Sequence, residues 1–402
     1  MQQMFIEEPY EFVPPVYADW WPPLLRFYIY RYLRTTFGVH SMEFRNTERL
    51  RASLDAGHSI ILAPNHCRLS DPIVLGVMAL GVGTNLFAMA SWHLFKQSKF
   101  QRFMIRRMGA FSVLREGNDR RAIDTAIEIL VNRRRPVIMF PEGAITRHND
   151  LVREMMDGPS FIGRQVAKRL EKLDQAGKIV IHPVAIRYAY NGDLEASLSP
   201  TLDKLEARFS WQPQRQRTLV QRIAKIGDAL LSLKEIEYLG AARSGDPFER
   251  AKFLIDSVLE KLEREWNLKD TTGGVIARVK RVRTAIMADL MTGNVTDEER
   301  ERRRRHMAAS YYVQQISHYP RDYILREKNL PERVVETVER LEEDFVDEAR
   351  VYGPLHAVIQ VGEPIPVGTQ RDRSAESDPI MAEVRRQLQS MIDALAAERT
   401  PV

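Results

Sequence analysis

The sequence predicts an α/β fold with a central, mostly parallel sheet flanked by helices, joined to a long all-helical region. Three observations predict it. Between Asn46 and Tyr190 short apolar runs alternate with helical patterns at the spacing of strand–helix–strand units. From 196 to about Tyr352 the chain is charged and helical, with no convincing strand. Strand character then returns in His356-Ala-Val-Ile-Gln-Val361.

A chain of 402 residues holds one large core or two ordinary ones, and 44% hydrophobic with 28% charged residues describe folded rather than disordered protein. The net charge of +5 suits an anionic surface or a phosphate-bearing substrate without singling either out. Cys67 is the only cysteine, so an intrachain disulfide is excluded and a reducing compartment, the cytoplasm, is expected. The acidic, aromatic start lacks the basic region of a signal peptide.

Residues 1–44 are read as an N-terminal aromatic, amphipathic segment. Trp20-Trp21-Pro22-Pro23 precedes Leu24–Phe37, where Arg26, Arg31 and Arg34 fall within about 140° on a helical wheel. Such a helix suits a membrane–water interface, and equally suits packing on its own domain with arginine stems covering apolar surface. In residues 45–195 the strand candidates are 59–63, 86–90, 110–114, 136–140 and 179–187, with helices such as 120–133 and 159–173 between them. The uncharged run from Pro72 to Phe95 has the length of a membrane span. Gly81-Val-Gly83-Thr-Asn85 interrupts it, so it reads as helix, turn and strand.

Residues 196–353 carry several helix starts. Asp246-Pro247-Phe248-Glu249 has N-cap, N1 proline and N3 glutamate in place, and Thr296 and Pro331 open two more. No repeat of fixed period is expected there. The run Glu299–Arg305 reads as a solvated helix face, with membrane or phosphate contact as the alternative; no signature of a nucleic-acid-binding fold accompanies it. A last helix is expected from about Pro379 to Glu398.

The chemistry concentrates after the first strand candidate. Asn65 and His66 fall in a polar loop, and Asp71-Pro72 opens the next helix, with Asp71 suited to the N-cap and Pro72 to the first helical position. On one helix a histidine and an aspartate five apart diverge by about 140°; across a strand–loop–helix turn they can meet. An imidazole oriented by a carboxylate takes a proton from an alcohol near neutral pH. Cys67 is the alternative nucleophile, set aside because chain neighbours usually point apart. His66, Asp71 and Glu142 do not form a recognisable metal-ligand cluster.

Asn65-His66-x4-Asp71, followed by Phe140-Pro141-Glu142-Gly143, resembles the glycerolphosphate and lysophosphatidate acyltransferase family, which includes the 1-acyl-sn-glycerol-3-phosphate acyltransferases. Gly109-Ala-Phe-Ser-Val-Leu-Arg115 looks like the family's second motif and Ile181-His-Pro-Val-Ala-Ile186 like its fourth. The resemblance implies transfer of a fatty acyl group from an acyl-CoA or acyl-carrier-protein thioester to a hydroxyl of a glycerolipid such as lysophosphatidate. His66 would be the general base and Asp71 its orienting partner. Asn65, Arg115, Glu142, Gly143 and Arg147 would serve the substrate, Glu142 and Gly143 in the acceptor-binding turn and the arginines at a phosphate. The family commonly places Thr-Arg-Ser after the glycine, whereas here Arg147 arrives two residues late. No metal, redox cofactor or acyl-enzyme is implied. An anionic membrane surface is an expected partner and peripheral attachment the expected state. His356–Ile365 resembles the closing strand and Gly-Glu-Pro-Ile turn that follow the family's fourth motif. On that ground 196–353 is read as an insertion, and 354–402 as closing strand and C-terminal helix of the acyltransferase domain. A second reading is a non-catalytic lipid-binding or scaffolding protein acting through the helical region.

Overall fold

A computed structural model describes residues 10–115, 117, 119–133, 135–173, 178–288, 295–321, 323–324, 330–346, 350–371 and 377–399. The first nine residues of the acidic, proline-rich start lie outside them. The chain divides into two compact units, one built from 11–192 and the stretch after 351, the other from 193–350.

The first unit opens with α1 (Trp21–Leu24) and α2 (Arg26–Phe37), then β1 (Val39–Arg45), α3 (Thr47–Asp55), β2 (Ser59–Pro64), α4 (Asp71–Val82) and β3 (Phe87–Ser91). A 3-10 turn at Trp92–Phe95 leads to α5 (Lys99–Arg107), β4 (Ala110–Val113), α6 (Arg120–Val131), β5 (Val137–Ile138), α7 (Gly158–Lys172) and β6 (Ile179–Tyr190). The helical unit follows: α8 (Leu194–Arg208), α9 (Leu219–Leu239), α10 (Pro247–Glu265), α11 (Val275–Met287), α12 (Asp297–Ile316) and α13 (Pro331–Val346). The chain then returns to the first unit with β7 (Leu355–Val361), β8 (Ile365–Pro366) and α14 (Pro379–Ala397).

The strands form one sheet in the order β1-β7-β6-β2-β5-β3-β4, with β8 also on β6. Every pairing is parallel except those of β7 and β8 with β6. The expected pairing of the late strand with 179–187 is present, from Val184 opposite Val361 to Tyr190 opposite Leu355. β2 and β6 are buried along their whole length, as continuous apolar runs in a sheet covered on both faces are. On one face α6, α7 and α14 pack over Ile61, Phe87, Phe111, Val137 and Ile181. α3 and α4 pack with β7, and α2 with β1 and α4. β5 is shorter than the expected 136–140: Pro136 has no N–H to give the ladder, and Met139 contributes one more bond, to Leu62, before the turn at Pro141.

The helical unit corrects the expectation of no fixed period. The N-caps of α9, α10 and α11, at Thr218, Asp246 and Gly274, fall at equal intervals. In each helix the fourth residue past the cap is an arginine, Arg222, Arg250 or Arg278, paired with a glutamate of the preceding helix. Those glutamates are Glu206 (2.8 Å), Glu235 (2.7 Å) and Glu263 (2.8 Å). Leu231, Leu259 and Met287 are buried at matching positions, and all three belong to the unit's core.

Candidate active site

Chain direction sets the site. β2, β5 and β6 are parallel, so the segments leaving β2 and β5 start from the same edge of the sheet, where open α/β sheets hold their ligands. The Asn65 side chain extends the pairing of β2 with β6 by one residue. Its Nδ2 donates to the Ile186 carbonyl (2.9 Å) and its Oδ1 accepts the Ile186 N–H (2.8 Å). Asn149 clips the same strand at Tyr188 in the same manner, at 3.0 and 2.8 Å. Between these clips the β2 and β5 loops are zipped through the backbone of His66. Its N–H donates to Glu142 Oε1 (2.8 Å), and its carbonyl accepts from the Thr146 N–H (2.8 Å) and Oγ1 (3.1 Å). The His66 ring stacks on Phe140 with centroids 3.9 Å apart.

His66 Nδ1 lies 2.9 Å from Asp71 Oδ2. The same oxygen accepts the Arg68 N–H (2.9 Å), while Oδ1 accepts the Tyr188 hydroxyl (2.7 Å). Ser70 Oγ is 2.8 Å from that hydroxyl. Asp71 is fully buried and His66 nearly so. Burial, then the Asp71 charge, push the Tyr188 hydroxyl well above the usual tyrosine range, so it stays a donor. The N-cap expectation shifts by one: Ser70 occupies the cap, and Asp71 and Pro72 are the first two helical residues. Asp71 therefore reaches back to the loop rather than forward into the helix. In the tautomer whose Nδ1–H donates to Asp71, Nε2 keeps its lone pair for a substrate.

Glu142 is 2% exposed, and its second oxygen accepts the Arg153 N–H (3.1 Å). Burial raises its pKa to about 7, against the pull of the two backbone amides. Both oxygens thus fasten backbone. Gly143 has φ +69°, a left-handed backbone that strains any other residue, with the movable end of Met156 against it. Arg147 is also left-handed, at φ +53°. Arg115 follows β4, where its charge and, more strongly, burial push His93 down to about 4. Cys67 is buried, with Sγ 3.9 Å from Asp71 Oδ1.

The hydrogen bonds thus unite His66, Asp71 and Glu142, with Asn65 fastened to β6 beside them; Gly143 and Arg147 lie on the same loop as Glu142, and Arg115 follows β4. Sequence reasoning missed Tyr188, Thr146 and Asn149. The strand read as 179–187 stopped one residue short of Tyr188; nothing local marked the other two.

An imidazole with one nitrogen fixed on a buried carboxylate is an arrangement for deprotonating a hydroxyl. Residues 41–187 match the Acyltransferase family model. The match, to the glycerolipid acyltransferase family, runs from within β1 through most of β6 and supports acyl transfer in general terms. No curated protein matches the chain. Among the described residues, no group of three or more histidine, cysteine, aspartate or glutamate side chains is placed to hold a metal ion. No helix among them is long and apolar enough to cross a membrane.

Proposed function

We propose that the protein is an O-acyltransferase of the 1-acylglycerol-3-phosphate O-acyltransferase type. It moves a fatty acyl group from acyl-CoA or acyl carrier protein to a hydroxyl of a lysolipid such as lysophosphatidate, in phospholipid biosynthesis. The observation that carries this is the His66–Asp71 pair, whose carboxylate accepts from Arg68 and Tyr188 as well. His66 Nε2 takes the proton of the attacking hydroxyl, and Asp71 holds the ring and stabilises the imidazolium that forms. The proton then passes to the departing thiolate. Glu142 serves the acceptor through the turn it fixes, which presents Gly143, while Arg115 and Arg147 supply charge for the acceptor phosphate. His93, held neutral beside Arg115, adds no charge of its own near pH 7.

The acceptor is a bilayer lipid, so the enzyme works at an anionic membrane surface from the cytoplasm. α2 supports this: only Ile29 and Leu33 are buried, while Arg26, Arg31, Arg34 and Phe27 (90% exposed) face outward. The deciding experiment measures free thiol released from acyl-CoA across a panel of lysolipids and simple alcohols. Lysophosphatidate-dependent release supports the reading. No release with any acceptor, from acyl-CoA or acyl carrier protein, returns the protein to the lipid-binding or scaffolding class.

A further inference from the structure

We propose that α5 and α1 together form a docking face for an anionic bilayer. The purpose of such a face rests on the acyltransferase reading; its existence does not, because binding is measured without turnover. α5 reads Lys99-Phe-Gln-Arg-Phe-Met-Ile-Arg-Arg107 and has no buried residue. A surface helix ordinarily turns an apolar stripe to its core. Here Phe100 is 71% and Phe103 42% exposed. The charge on α5 itself has one sign, since no aspartate or glutamate occurs from 72 to 115 while Lys96, Lys99, Arg102, Arg106 and Arg107 do, and Asp19, beside Trp20, is paired with Arg135.

The face is continuous with the N-terminal segment. Trp21 meets the Phe103 ring edge-on at 5.7 Å, and Arg107 lies over Phe103 at 3.7 Å and over Trp21 at 5.9 Å. Trp20 and Leu24, each 63% exposed, extend the apolar area. The helix is anchored: Ser98 caps it, Arg106 Nε donates to the Pro14 carbonyl, and the Val16 N–H donates to the Arg106 carbonyl. Its aromatics are therefore held outward by a fixed backbone. Exposed aromatics beside lysine and arginine match the boundary between headgroups and acyl chains, and the excess of basic side chains selects anionic lipid. β3 and β4 are parallel, so α5, the crossover between them, runs from the carboxyl end of β3 back to the amino end of β4, and the segment before α1 is tied there through Asp19 to Asn85 and Arg135.

The test is sedimentation with vesicles of phosphatidylglycerol and phosphatidylcholine, with phosphatidylcholine alone as comparison. Each basic residue at an anionic surface strengthens binding by about five-fold. The triple variant Lys99→Glu, Phe100→Ala, Arg102→Glu is expected to lose at least about ten-fold in partitioning, with melting temperature and activity on a short-chain, soluble acceptor unchanged. His66→Ala should bind like the wild type, which separates this proposal from the catalytic one. An environment-sensitive probe on Phe100→Cys should shift to the blue on anionic vesicles; one on Lys178→Cys, at the amino end of β6, should not. Wild-type binding by the triple variant overturns the proposal. So do equal responses from both probes, or equal affinity for phosphatidylcholine alone.

Discussion

Asp71 accepts from His66 and Arg68 in the loop before it and from Tyr188 on β6, and the two partners other than His66 hold the carboxylate where the imidazole needs it. His66→Ala removes the base and one buried donor to Asp71, so turnover should fall by about 10² or more while the fold is kept at a cost of about 1–3 kcal/mol in urea unfolding. Tyr188→Phe deletes a buried donor and should cost about 1–3 kcal/mol in urea unfolding. Glu142 gives a pH signature. Its folded pKa, about 7, lies above the ordinary glutamate value. Below about pH 4.5 folded and unfolded chains both hold the proton. As pH rises towards 7 the unfolded chain releases it while the folded one retains it, so stability falls; above 7 the effect is constant. Glu142→Gln lacks this loss and should flatten the decline in unfolding free energy between pH 5 and 7.5 by roughly 2–3 kcal/mol. His66 and Asp71 were legible because a short loop between strand and helix brings neighbours in sequence together. Tyr188 was not, because its partner lies 117 residues away.

At the scale of elements, local chemistry announced itself. Asp246 and Thr296 accept backbone N–H groups at the helix starts where they were expected. The helical repeat was hidden because arginines and glutamates in amphipathic helices look like solvated charge. Arg250 and Glu235 are instead both buried, and only the three-dimensional pairing reveals them. Arg250→Ala strands Glu235 without its guanidinium and should destabilise the helical unit by about 3–5 kcal/mol in thermal or urea unfolding. α5 escaped notice for another reason. Its apolar residues are split, Met104 and Ile105 half-buried and Phe100 and Phe103 exposed, and nothing in the order of residues tells the two pairs apart.

At the scale of the molecule, the sheet spans the chain from β1 to β7. The place of 356–365 beside β6 was anticipated from a resemblance, since no local signal states which distant strand a run will pair with. β7 lies between β1 and β6, not at an edge. A chain ending at Arg350 lacks β7, β8 and α14, which opens the sheet internally and uncovers part of the α6–α7 face. Such a truncation should be insoluble, or soluble without near-ultraviolet circular dichroism from the sheet unit.

Synthesis on the ribosome gives that arrangement a cost in time. β6 emerges with its fully buried strand finished, yet the neighbour that seals its edge is encoded beyond the helical unit. At 5–20 residues per second, roughly 10–30 s pass before β7 is made. Through that interval the nascent chain carries an open apolar strand edge of the kind that recruits other chains. Translation speed across 193–350, and whatever shields β6 meanwhile, therefore bear on the yield of native protein without altering a single contact in it.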